Sequence, residues 1–261
     1  MSRHPQPPSR SSDDQSPVAA EGSTAPTRST AALSARRLAK DYGDGPALYP
    51  LTLDIEAGDR VALIGHNGSG KTTFLRMAAG LLEPGSGSVT IFGDEPGSLE
   101  ARRRLSFISD TPTFYDDLSV WEHLEYTARL HSVGDWEQLA ADLLGDLGIY
   151  ERADDLPNRF SRGLKQKAAI AIALVRPFDL LLVDEPFVGL DADGKDALLD
   201  LFDDAHGRGA TLIVATHELG FVAAAHRTIA LRDGRLIFDG DSSSEQAREL
   251  VTGETTNTSD E

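Results

Sequence analysis

Gly65-His66-Asn67-Gly68-Ser69-Gly70-Lys71-Thr72 matches without a mismatch the pattern of a phosphate-binding loop: a glycine, four variable residues, then Gly-Lys-Thr. The flanks agree with it. Arg60-Val61-Ala62-Leu63-Ile64 reads as a short buried strand, and residues 73–79 read as a helix. Glycines let the backbone wrap a phosphate closely and accept positive φ, which a Cβ penalises. Successive N–H groups then point inward, and the helix N-terminus adds its partial positive charge. Asn67, Gly68, Ser69, Gly70, Lys71, Thr72 and Thr73 are the expected nucleotide contacts. Lys71 is expected on the β- and γ-phosphates and the Thr72 hydroxyl on Mg²⁺.

A second site follows at Leu180-Leu181-Leu182-Val183-Asp184-Glu185-Pro186. Four successive apolar residues suit a central parallel strand buried on both faces. Two carboxylates end it, at the strand edge where open α/β sheets bind ligands. Asp184 suits holding Mg²⁺ through water, and Glu185 suits orienting or deprotonating an attacking water.

Composition bounds the rest. At 261 residues the chain is one large domain, or one domain with a subdomain. It has no cysteine, which excludes disulfides and thiol catalysis. No apolar run approaches the length of a membrane span, and the N-terminus lacks the apolar segment of a secretory signal, so a cytosolic protein is expected. The formal net charge of −17 repels nucleic-acid backbones and makes a nucleic-acid partner unexpected.

Residues 1–30, rich in Pro, Ser, Thr and Gln, read as a disordered tail. Residues 242–261 read as an acidic, largely disordered tail with a short helix near 244–251. Between them, strands are expected at 32–39, 51–55, 88–92, 105–108, 211–215, 229–231 and 235–238. The stretch from about 110 to 175 is mostly helical, with Ser119 capping a helix that carries Val120, Leu124 and Ala128. Arg102-Arg103-Arg104 reads as a solvated helix end. From spacing alone, Tyr42 is a turn tyrosine and His217 a strand-end histidine.

This order of signals resembles one family, the nucleotide-binding ATPase subunits of ABC (ATP-binding cassette) transporters, over residues 33–240. Phe160-Ser161-Arg162-Gly163-Leu164-Lys165-Gln166-Lys167 sits where that family places its signature motif. Gly189-Leu190-Asp191 looks like its D-loop, His217 like its switch histidine, and Tyr42 like its adenine-stacking aromatic. The resemblance implies an α/β fold: a P-loop NTPase core with a mostly parallel sheet, an antiparallel β subdomain and a helical subdomain at about 110–175. It also implies that two subunits dock head to tail around ATP and Mg²⁺, as a homodimer or a heterodimer. Ser161 and Gly163 of one copy then cap the γ-phosphate held by the other, and Asp191 links the two sites. Two departures stand out. The commonest signature is Leu-Ser-Gly-Gly-Gln, and the Ser-Arg-Gly-x-Lys-Gln form here is similar to the exporter-type branch. Asp110 stands where the family usually has a glutamine contacting Mg²⁺ and water.

The implied activity is ATP hydrolysis driving a separately encoded transmembrane permease, with the chain peripheral on the inner face of the cell membrane. Glu185, His217 and Asp110 are the expected catalytic residues, and Thr72, Asp184 and Asp110 the expected metal ligands. Phe114, Tyr115 and Leu118 are expected in a groove for a permease helix. The short tail and the absence of a regulatory domain tilt the reading towards export. A soluble cassette acting on ribosomes or DNA is the alternative. Those relatives usually carry two cassettes or a long coiled coil, and neither feature is present here.

Overall fold

The computed structural model describes residues 31–244 and 249–250. The expected tail at 1–30 and most of the tail after 242, including the short helix near 244–251, lie outside the described residues.

Five parallel strands form the centre. Strands β3 (Arg60–Ile64), β6 (Leu180–Asp184) and β7 (Thr211–Ala215) are buried at every position. With β5 (Leu105–Ile108), β8 (Arg227–Arg232) and β9 (Arg235–Asp241) they make a six-stranded sheet ordered β5-β6-β7-β3-β8-β9. Only the β8–β9 pair is antiparallel within it. Alternate residues of a strand point to opposite faces, so each central strand feeds two cores. Ala62, Ile64, Leu181 and Val183 enter one apolar cluster, while Val61, Leu63, Leu180 and Leu182 enter the other.

A three-stranded antiparallel sheet, ordered β2-β1-β4, packs beside this core. It comprises β1 (Ala31–Asp41), β2 (Pro46–Glu56) and β4 (Ser86–Ile91). The second strand starts at Pro46, earlier than the expected 51. The reason is position: β2 is an edge strand, where a proline's missing N–H need not break the ladder. A register shift between Leu38 and Lys40 faces Pro50.

Helix α1 (Lys71–Ala78) follows the phosphate loop, and α2 (Leu99–Arg104) precedes β5. Arg104 of the arginine run is more than a solvated helix end: it stacks 3.4 Å from the Phe92 ring and pairs with Asp179 at 2.6 Å. The helical part contains α3 (Val120–Leu130), α4 (Trp136–Asp146) and α5 (Arg162–Leu174). Ser119 caps α3 as expected, its Oγ accepting from the Glu122 N–H while Glu122 accepts from the Ser119 N–H. Helices α6 (Ala192–Gly207) and α7 (Leu219–Ala224) complete the order. Among the described residues no helix is long and apolar enough to cross a membrane.

Candidate nucleotide site

The phosphate loop joins the C-terminal end of β3 to α1, and β6 and β7 end beside it. Gly65 has φ +148°, and a Cβ there would collide with the carbonyl oxygen of Leu231, so the loop packs against β8 through bare backbone. The β8–β9 turn props it from the same side: the Gly234 N–H donates to the Ser69 carbonyl at 3.1 Å, and His66 Nε2 lies 3.2 Å from Asp233 Oδ1. Lys71 is 5% exposed. Its ammonium donates to the Gly65 carbonyl and lies 3.3 Å from Glu185 Oε1.

These residues wall a cleft of about 630 Å³. His66 to Thr73, Asp110, Asp184, Glu185 and His217 line it, together with Ala47, Arg162 and Val188. Asp184 is 1% exposed, and neither of its carboxylate oxygens has a hydrogen-bond partner of normal geometry among the described residues. Burial pushes its pKa up; the adjacent Thr72 hydroxyl opposes the shift, and Asp110 and Glu185 add to it. A buried acid with two idle oxygens beside a threonine hydroxyl is the donor chemistry a hard divalent cation takes. The chain itself offers no closed cage, since no group of three or more His, Asp or Glu suited to a metal occurs among the described residues. Phosphate and water oxygens would complete such a site.

Glu185 sits at φ +46°, a left-handed conformation costly for a residue with a side chain. Its N–H donates to the Ala215 carbonyl at 2.9 Å, which ties the bend to β7. His217, two residues beyond β7, places Nε2 3.6 Å from Glu185 Oε1. Two strand ends thus bring lysine, glutamate and histidine to one point.

Other expected residues lie away from this point. Ser161 caps α5, its Oγ accepting from the Leu164 N–H at 3.4 Å, and Gly163 packs so closely on Gly189 that a Cβ would strike the Gly189 carbonyl oxygen. Asp191 caps α6 and pairs with Lys167 of α5 at 3.1 Å. That lysine is the main cause holding the Asp191 carboxyl below its ordinary range. Ser161, Gly163 and Asp191 do not line their own chain's cleft. Tyr42, 60% exposed, does not line it either; it stands on the β1–β2 turn with Lys40 5.6 Å above its ring. Asp110 does line it, and Arg76 of α1 reaches it at 3.7 Å. Sequence reasoning missed Arg76. It also treated Arg162 only as a substitution, whereas its long side chain lies along Gly189 to the cleft edge.

A second cavity of about 770 Å³ lies between the core and the helical part. Phe114 and Tyr115 line it with Arg76, His123 and Tyr126; Leu118 does not. The Leu118 expectation is therefore corrected. His123 orders this wall, with Nε2 accepting from the Tyr115 N–H at 2.9 Å and the two rings stacked.

Fold and cleft together define a phosphate-loop nucleotide hydrolase. A family model described as ABC transporter matches residues 48–188. The SkfA peptide export ATP-binding protein SkfE of Bacillus subtilis (strain 168) is 35% identical, covering 79% of this chain and 88% of that protein. The macrolide export ATP-binding/permease protein MacB of Rhodopseudomonas palustris (strain BisB18) is 37% identical over 81% of this chain, which spans 34% of that protein. Among solved structures, an ATP-binding subunit of an ABC transporter superposes with a TM-score of 0.76 at 29% identity, covering 85% of this chain and 98% of that one. A dimeric post-hydrolysis state of the cassette MJ0796 with ADP and Pi gives 0.74 at 25% identity, covering 81% and 99%. The chain belongs to the ABC transporter family. It is an ATP-binding and ATP-hydrolysing subunit, of a kind that dimerises and works with a membrane permease.

Proposed function

We propose that two cassettes close head to tail around two ATP molecules and drive an exporting permease at the inner face of the membrane. The observation that carries this reading is the division of the site residues. Grip, buried acid and base line one cleft, while Ser161 and Gly163, which have donors and a helix N-terminus to offer, do not line it. A second copy supplies the missing cap, and the partner cassette is either identical or a close relative. Export is favoured by the names of SkfE and MacB, both export proteins, and by the Ser-Arg-Gly form at 161–163. Phe114 and Tyr115 line the groove that takes a permease helix.

In this reading the site residues take the following roles. Lys71 and the loop N–H groups hold the β- and γ-phosphates, and Tyr42 stacks on the adenine once the β1–β2 turn closes over it. The Thr72 hydroxyl, Asp184 and Asp110 would hold Mg²⁺, directly or through water, and the ion would supply charge neutralisation at the phosphate oxygens. Glu185 orients the water and takes its proton as the water oxygen bonds to the γ-phosphorus and the bond to ADP breaks. His217 donates to the γ-phosphate and fixes Glu185, and Asp191 passes the state of one site to the other.

Glu185→Gln tests the reading. This variant should bind ATP, lose hydrolysis and accumulate as a dimer on size-exclusion chromatography with ATP. Turnover at the wild-type rate would remove Glu185 from its role, and a monomer at all ATP concentrations would remove the sandwich.

A further inference from the structure

Asp110 stands in the wall between the two cavities. Its carboxylate lines the nucleotide cleft, whereas Arg76, which reaches it, lines the groove on the other side. The pair therefore crosses the wall, Nη2 to Oδ1 at 3.7 Å, with both side chains partly solvated. Ser109 holds the same oxygen, its hydroxyl donating at 3.2 Å.

Charge in the cleft shows what the pair is for. Asp110, Asp184 and Glu185 bring three carboxylates to a pocket built for a polyanion. Lys71 lies 3.3 Å from Glu185 Oε1 and the buried Asp184 oxygens suit a cation, whereas among the described residues no cation that lines the cleft pairs with Asp110. Arg76 supplies the balancing charge from outside the cleft. It sits in the last turn of the helix that Lys71 begins, so phosphate grip and charge offset ride on one rigid element.

We infer that Arg76 is a positioning residue of the nucleotide site: its guanidinium holds Asp110 against the wall and offsets its charge, so that this acid can face bound triphosphate. The inference rests on the reading that Asp110 faces Mg²⁺-ATP. The bland role for Arg76 is a solvated cation at a helix C-terminus, which acts on the stability of α1 and not on nucleotide.

The test is a cycle of four proteins in the full chain: wild type, Arg76→Ala, Asp110→Asn and the double variant, with Arg76→Lys as the conservative control. Affinity for a fluorescent ATP analogue with Mg²⁺, KM for ATP, and Tm are measured on each. Arg76→Ala should weaken affinity about tenfold, the scale of one partly screened charge contact at a partly solvated site. Its Tm should stay near wild type, and Arg76→Lys should recover most of the affinity. In the double variant the loss should shrink to within about threefold of Asp110→Asn alone, because the repulsion is gone. Two results overturn the inference: a fall in Tm with unchanged affinity, or two losses that simply add. If Asp110→Asn stops turnover, the cycle is read from affinity. Failure of the wild-type chain to bind Mg²⁺-ATP would instead strike the proposed function itself.

Discussion

Asp184→Asn gives the sharpest separation between stability and activity. Without nucleotide, both oxygens of this buried carboxylate lack a well-formed hydrogen bond and its pKa is raised, chiefly by burial. A raised acid pKa means that the native state holds a proton more tightly than the unfolded chain. Native stability therefore falls as pH climbs from the unfolded value through the folded one, and the deficit is fully present above both. Neutralising the side chain removes the charged part of that cost, about 1.4 kcal/mol for each pKa unit by which the folded state raises the acid. For a domain of this size each kcal/mol moves Tm by roughly 2–4 °C. Thermal unfolding of the nucleotide-free variant should thus show a higher Tm than wild type at pH 8. The gap should narrow as pH falls, since wild-type Asp184 then protonates. With ATP, adding Mg²⁺ should raise the wild-type Tm and leave the variant nearly unmoved, and hydrolysis should be lost. A variant that is less stable than wild type at pH 8, or one stabilised equally by Mg²⁺-ATP, would refute the account.

Lys71→Ala should lose nucleotide affinity itself in a filter-binding or fluorescence assay, because the loop's buried cation is gone; tight binding that persists would contradict the grip. Gly163→Ala drives a Cβ into the Gly189 carbonyl oxygen. Steady-state hydrolysis should fall at least tenfold, with a loss of stability of about 1–3 kcal/mol from overpacking, and wild-type values for both would deny that the contact matters. Tyr42→Ala should weaken ATP binding by about 1–3 kcal/mol, the worth of one stacked base, with triphosphate alone unaffected; equal affinity would leave Tyr42 a turn residue. His217→Ala should slow turnover far more than it changes ATP affinity, and a change confined to affinity would recast it as a binding residue.

Much of the site was legible because its chemistry is contiguous in the chain. The phosphate loop is a single run, and Asp184 and Glu185 close a strand whose four apolar residues announce burial on both faces. Strand β5 was found at its observed bounds from a shorter signal, three apolar residues in the four of Leu-Ser-Phe-Ile. Helix α6 went unread although Leu198, Leu201, Phe202 and Ala205 recur at helical spacing, because five aspartates from residue 191 to residue 203 dominate the composition there. Arg76 could not be read at all. A cation in a last helical turn looks the same whether it faces solvent or a carboxylate from another element, and only the packing of α1 beside the strand end after β5 tells them apart. Tyr42 is the reverse case: a position suggested by resemblance whose ring stands clear of the cleft.

Gly163 and Gly189 meet backbone to backbone, with no side chain between them to flex. Such a joint has almost no slack, so a tilt of α5 must carry the segment that follows Glu185 along with it. In the proposed dimer, timing between capping one nucleotide and poising the base for another can thus be set by rigid mechanics.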